Sequence, residues 1–450
     1  MNNINIERKM KIIFVGILIS MLVIILIIIL LNIIQDNKTI QSNNENTNNK
    51  NTNIIQGGLV TDNPEEYKYN FVETEYNVLE YETSRKLFAT IEYITNNYIN
   101  YVGFNNNETL YDIVSNDCIG KYNINNNIPQ ASNRSHYKNI ITDMIQSKIN
   151  ETQKIYIVKG KGRTIEENKY YMFNIMIRVD LANNTYCIYP NDYVLKNGYD
   201  KLGVGDKINI SSTPISKNKN NLFPSITKTD LEMATSYFNN YKEILKYYKN
   251  DSYKLLNIEY SKVKFNSEQE FKNYLQECDE IISNMVLQKY TTYSCKDYTD
   301  YICTDQYNNY YIFRQQGGIM RYTVFLDTYT VELDAFKEEY EKSSDGTKVS
   351  INIDKFKQML NTKDYNAIYN KLNVVFRNKN FNNISKLKEY LQKNVYDINS
   401  IELNNYNQNE DYYVCECTLY NQKNTNEKKN MTIVMKLIDS NNFEMSFSMN

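Results

Sequence analysis

From Ile12 to Ile34 the chain reads IIFVGILISMLVIILIIILLNII, apolar except at Ser20 and Asn32, and about 20 such residues cross a bilayer core as a helix. This pattern predicts one transmembrane signal-anchor over 12–34. Arg8, Lys9 and Lys11 precede it, whereas the far side carries Lys38 against Asp36. The positive-inside bias therefore predicts a cell-membrane protein with a cytoplasmic N-terminus (1–11) and extracellular C-terminal domains. A cleaved signal peptide would need small residues at its cleavage site, and the first alanine is Ala89. The first cysteine is Cys118, too late for a lipoprotein. Residues 35–77 are polar and aperiodic at their start and predict a flexible extracellular linker.

Further along, the period changes. Leu87, Ile91, Ile94 and Tyr98 recur at helical spacing between about Leu79 and Tyr101. Leu231, Ala234, Phe238, Tyr241, Leu245 and Tyr248 do the same behind a capping box of Thr229 and Glu232, and Ile353, Phe356 and Leu360 begin a shorter helix. Strand-like runs follow each helical stretch: Tyr170–Phe173, Tyr310–Phe313 and Tyr412–Cys415. Asn184–Ile188 is answered by Asp327–Val331. Near the C-terminus Phe443, Met445, Phe447 and Met449 alternate with polar residues, the period of a strand with one buried face.

These stretches repeat. YKLLNIEYSKVKFNSEQEFKNYLQ (Tyr253–Gln276) aligns without a gap on YNKLNVVFRNKNFNNISKLKEYLQ (Tyr369–Gln392), at a constant offset of 116 residues. Tyr253/Tyr369, Leu256/Leu372, Phe265/Phe381 and Leu275/Leu391 are among the apolar matches, and Asn257/Asn373 is a polar one. A diverged first copy begins at Tyr111. Helices first and strands second is the α+β order, so the chain divides into α+β repeats over 78–225, with an insertion, 226–335 and 336–450. A long helix, a short helical segment carrying this motif and an antiparallel meander together resemble the nuclear-transport-factor-2-like, cystatin-like cone superfamily. The resemblance covers all three repeats and implies helices packed on a curved antiparallel sheet. It leaves function open, because that superfamily includes enzymes, binding modules and scaffolds. An anchor followed by such domains also resembles the external scaffold subunits of conjugation and secretion systems, and the stem of some penicillin-binding proteins. The stem's sequel is missing, since no S-x-x-K is followed by S-D-N and K-T-G.

Charge and composition narrow the chemistry. Lys and Arg total 51 against 53 Asp and Glu, a net charge of -2, so there is no basic field for nucleic acid. With 42 Tyr, 13 Gly, 5 Pro and no Trp, the profile is that of an AT-rich bacterial genome. The one histidine, His136, lies in the polar insertion Gln130–Lys138 and reads as a solvated loop residue. Lys159-Gly160-Lys161-Gly162-Arg163-Thr164 lacks P-loop spacing and reads as a hairpin turn. Gly203-Val204-Gly205 and Gly317-Gly318 read as turns too, the latter introducing a strand over Ile319–Phe325. Of seven cysteines, Cys415 and Cys417 occupy core slots of the repeat, and Cys295 with Cys303 is the pair placed to bridge a hairpin. The tyrosines between Tyr290 and Tyr310 are candidates for an exposed binding platform.

No catalytic, cofactor-binding or metal-ligating residue is assigned, and no cofactor is expected. The expected function is a non-enzymatic scaffold or protein-interaction module of the cell envelope, bound to the membrane through 12–34 and to another envelope protein or to itself. The alternatives are a hydrolase or isomerase with a cone pocket, to which Glu259 and Asp279 could contribute, and an exported glycan-binding protein. An enclosed pocket holding two or more buried carboxylates would favour the enzyme; interiors filled with Tyr and Phe would favour the interaction module.

Overall fold

The computed structural model describes residues 73–76, 79–115, 118, 134–211, 223–319 and 321–449. In the first segment β1 (Glu73–Tyr76) and β2 (Glu80–Tyr81) precede α1 (Arg85–Gly103) and α2 (Asn107–Ile113). Then come β3 (Tyr137–Lys148), β4 (Gln153–Thr164), β5 (Tyr170–Asp180), β6 (Thr185–Tyr189), α3 (Asn191–Lys196) and β7 (Ile208–Ser211). The sheet runs β2-β3-β4-β5-β6, and β1 and β7 form a separate ribbon.

The second segment has five helices, α4 (Asp230–Tyr247), α5 (Lys249–Ser252), α6 (Ile258–Lys264), α7 (Glu268–Glu277) and α8 (Asp279–Asn284). Its strands are β8 (Leu287–Ser294), β9 (Thr299–Asp305), β10 (Tyr310–Gln315) and β11 (Tyr322–Phe325), in the order β11-β10-β9-β8. The third repeats the plan: α9 (Asp334–Lys342), α10 (Asp345–Asn361), α11 (Tyr365–Lys371), α12 (Val374–Asn380) and α13 (Ile384–Asn394), then β12 (Asn399–Asn409), β13 (Tyr412–Asn421), β14 (Asn424–Leu437) and β15 (Phe443–Met449). Those strands pair in sequence order. Neighbouring strands in all three sheets are antiparallel.

Local chemistry explains the helix starts. Thr229 accepts from the Glu232 amide while the Glu232 carboxylate accepts from the Thr229 amide, so α4 begins on a complete capping box. Met233, Ala234, Tyr237, Phe238, Tyr241 and Leu245 form its buried face. The motif at offset 116 folds alike in its two copies: the Asn257 side chain accepts from the amides of Glu259 and Tyr260 at the start of α6, and Asn373 accepts from Val375 and Phe376 at the start of α12. Ser267 and Asn383 then cap α7 and α13 with nearly the same extended backbone, φ -160° and -158°.

One feature recurs in all three segments. Val114, Leu256 and Leu372 each form an isolated parallel bridge to the last strand of a sheet, with Ile188, Val324 and Met445. The next amide donates to that same strand: Ser115 to the Ile188 carbonyl at 2.8 Å, Asn257 to Val324 at 3.1 Å and Asn373 to Met445 at 2.8 Å. Each sheet thereby has one edge covered by its own helical segment.

The expected class needs correction. What is shown is an α+β fold with three antiparallel sheets, and among the described residues no helix is long and apolar enough to cross a membrane. The longest helices, α1 and α4, have one buried stripe and carry Arg85, Lys86 and Glu92, or Asp230, Glu232 and Lys242, elsewhere, which suits a helix lying on a sheet in water. The span expected over 12–34 lies outside the described residues, as does most of the linker.

Smaller expectations also shift. The helix read from about Leu79 starts at Arg85, because Glu82 is buried and accepts from the Ser84 amide and the Tyr156 hydroxyl, at 2.6 and 2.7 Å, turning the chain ahead of the Ser84 cap. Lys159–Thr164 is strand rather than turn. The rings of Phe173 and Tyr171 lie across Gly160 and Gly162, where a Cβ would sit 2.2 Å from each ring, so these glycines make room for aromatic packing. Gly317, at φ +73°, does turn the chain, but the strand after it begins at Tyr322. Asp327–Val331 is a bend: Asp327 accepts from the amides of Tyr329 and Thr330 at 3.1 and 2.8 Å.

The described residues other than Cys118 belong to one compact body, Phe71–Asn116 with Ile124–Asn450. Ion pairs link its segments. Arg85 reaches Asp230 at 2.6 Å and the Tyr301 hydroxyl at 3.0 Å, and Lys161 pairs with Asp251. Arg163 meets Glu243 through two nitrogens and stacks 3.8 Å from the Tyr247 ring centroid. Lys388 reaches Glu277 at 3.3 Å and Lys423 reaches Glu280 at 2.7 Å between the second and third segments.

Candidate functional site

A pocket inside one of the segments would point to catalysis. In the second segment Tyr237 packs on Tyr301 and Tyr322, with ring centroids 5.2 and 4.7 Å away, and Tyr241 lies edge-on to Phe313. Phe238 packs on Tyr311. In the third, Phe447 collects Phe356, Phe376, Phe381 and Tyr390 within 6.3 Å. A space of about 10 Å³ bordered by Tyr274, Cys278 and Tyr311 is large enough for no more than a water molecule.

Buried carboxylates are present, but each has a structural task. Asp300 holds Arg314 through two 2.8 Å contacts. Asp305 accepts from the Tyr307 and Asn309 amides at 2.8 and 2.9 Å and from the Asn309 side chain at 2.9 Å, closing the β9–β10 turn; burial raises its pKa against those hydrogen bonds. Asp327 and Asp364 share the Lys264 ammonium, with Asp327 at 2.8 Å. Tyr260 donates to Asp327 at 2.9 Å and Tyr329 to Asp364 at 3.0 Å. Burial opposes the charge on Lys264, and the two carboxylates more than reverse it, holding its pKa above the ordinary value. Burial likewise opposes the charge on Asp364, and Lys264 more than offsets it, keeping that carboxyl below its ordinary value. This cluster joins the second segment to the third and was invisible to periodicity, because Lys264 and Asp364 stand 100 residues apart.

The residues singled out in the sequence do not converge. His136 is exposed, 2.8 Å from Glu166 and edge-on to Phe104. Glu259 is exposed at the start of α6 and Asp279 at the start of α8. Cys295 and Cys303, the pair placed to bridge a hairpin, are both free: Cys303 is buried opposite Tyr290, while Cys295 lies exposed beyond the end of β8. Cys415 and Cys417 are buried in the third core, where burial raises their thiol pKa values to about 11 and about 12. Among the described residues no cluster of His, Cys, Asp and Glu could hold a metal ion.

Two grooves open at the surface of the described residues. A groove of about 390 Å³ is bordered by Glu277, Lys363, Lys388 and Asp397, and one of about 290 Å³ by Ile140, Ile141, Ile244 and Tyr322. The sheet edges opposite the bridged ones differ between segments. On β3, Glu80 and Tyr81 of β2 pair with Gln146 and Ile145. At the corresponding places β8 and β12 end their sheets, and from Leu287 to Ser294 and Ser400 to Asn409 the outward backbone groups meet no other backbone among the described residues. Most side chains on both strands are exposed, Tyr290 and Tyr406 each at 39%. Aromatic residues interleaved with Thr or Asn on a strand without a neighbour are the site's chemistry: donors and acceptors in a row, with rings between them.

No family model, curated protein or solved structure matches this chain, so none identifies it with the cone superfamily.

Proposed function

We propose that the protein is a non-enzymatic interaction module in which three helix-plus-sheet repeats, held as one body by buried ion pairs, present open sheet edges to other proteins. The observation that carries this reading is the asymmetry of the sheets: each has one edge bridged by its own helical segment, while the outer edges of β8 and β12 pair with no further strand among the described residues. The aromatic filling of the second and third interiors supports it, since Tyr and Phe rings occupy the space a substrate would need there. A protein strand laid along either edge would complete the ladder, and two edges on one body let modest contacts add through effective concentration.

The test places a photo-cross-linking amino acid at Tyr290, Tyr406 or Val375 in the full chain within its own cells. Val375 is the control, 75% exposed on α12, which follows the bridge from Leu372 to β15 at the opposite edge of the third sheet. Adducts to protein at 290 or 406, with none at 375, are expected. Adducts to glycan or lipid, or none at the edge positions, would overturn the proposal.

A further inference from the structure

Strand β8 has a property that β12 lacks. Its regular part, Lys289–Ser294, reads KYTTYS and lies beyond the irregularity between Leu287 and Lys289. Tyr290 and Thr292 stand opposite Cys303 and Tyr301, on the face toward the core, while Lys289, Thr291 and Tyr293 occupy the other face. An antiparallel strand of the same sequence, centred on Thr291, brings like faces together. It sets Tyr290 against the partner's Thr292, Thr291 against the partner's Thr291 and Lys289 against the partner's Tyr293. Thr–Thr and aromatic–Thr pairs suit a pleated surface, and no like charges meet. The irregularity in β12 falls between Leu403 and Asn405, within its length, and breaks that edge into two regular stretches, 399–403 and 405–409, so it offers no single continuous ladder.

Charge adds a second argument. The Tyr293 hydroxyl donates to Glu338 on α9, whose side chain is half exposed and also meets the well-exposed Lys342 at 3.3 Å. A lysine directly across from Tyr293 on that face is brought to the same carboxylate, and the two-fold axis creates this pairing twice. The first segment supplies the precedent for strand addition, since β2 already pairs with β3 at the corresponding edge.

We infer that two copies of this chain pair antiparallel through β8, joining their second sheets into one eight-stranded sheet, with Lys289 of each copy beside Glu338 of the other. The inference deepens the proposed function by naming one partner as the chain itself. Six residues a side bury less than the roughly 1,200 Å² of a stable interface, so the dimer is weak and concentration-dependent.

Sedimentation velocity of the full chain over a concentration series tests it, using wild type, Lys289→Glu, Glu338→Lys and the double variant. A monomer–dimer equilibrium is expected, weakened roughly tenfold by either single reversal and restored by the double. Circular dichroism of each variant separates lost pairing from lost folding. Dimers insensitive to all three variants would overturn the inference. So would a chain that stays monomeric: if it captures a different protein from position 290 in cells, self-pairing alone fails, and if it captures none from either edge position, the interaction reading fails with it.

Discussion

Lys355 is buried on α10, where its ammonium donates to the Ser440 carbonyl. Burial, with help from Lys371, pushes its pKa down to about 8 from an ordinary 10.5. Below pH 8 the folded state bears the cost of a desolvated charge. Between about 8 and 10.5 the unfolded chain still holds the proton that the folded one has released, so this residue makes stability rise with pH across that window. Lys355→Met removes the cost. Its gain is bounded by about 3 kcal/mol and reduced by about 1 kcal/mol for the Ser440 carbonyl left unpaired. Urea midpoints should rise for the variant at pH 7, and the advantage over wild type should shrink by pH 10; equal midpoints at pH 7 would contradict this account. At this scale little was legible in the sequence. Ile353, Phe356 and Leu360 mark the apolar stripe of α10, but the pattern does not disclose that Lys355 and Asn352 are buried beside it. Gly160 and Gly162 were misread for a related reason: glycine in a turn and glycine beneath an aromatic ring look alike until the strands are paired.

Among elements, the repeated motif itself was legible, but Asn257 and Asn373 were read only as a polar match, and their capping role emerged from the structure. Asn257 and Asn373 hold the first turns of α6 and α12 while their amides bind the last strand of each sheet. Replacing either side chain by Ala leaves that backbone bond in place and removes the cap, so Asn257→Ala and Asn373→Ala should each cost about 1 kcal/mol in urea unfolding. A loss below about 0.3 kcal/mol would mean that packing, not the cap, fixes these helices. Strand runs such as Tyr170–Phe173, Tyr310–Phe313 and Tyr412–Cys415 lie in β5, β10 and β13. Asp327–Val331 was misread because its Thr-Tyr-Thr-Val composition favours a strand, yet Asp327 satisfies two amides of the bend. The edge strands were partly visible: the tyrosines of Tyr290–Tyr310 include exposed Tyr290, but Tyr301 is buried. Composition marks a β-prone run without saying which strand has a neighbour.

For the whole molecule, the helices-then-strands order of the second and third segments was readable from the offset of 116 residues, whereas the strands ahead of α1 and the joints between segments were not. Arg163 with Glu243 and Lys264 with Asp364 are matched across 80 and 100 residues, and no periodicity relates them. Those joints give the functional proposal its shape, since edges fixed on one body can be read together. The claim that these edges are open is examined most directly by amide hydrogen exchange on the full chain, first at a concentration where it is monomeric and then when saturated with itself or with a captured partner. The account predicts rapid exchange for the outward amides of Leu287–Ser294 and Ser400–Asn409 beside slow exchange in β9 and β13, with the edge amides becoming protected on association. Edge amides as slow in the monomer as those of β9 and β13, or unchanged when the partner binds, would contradict it.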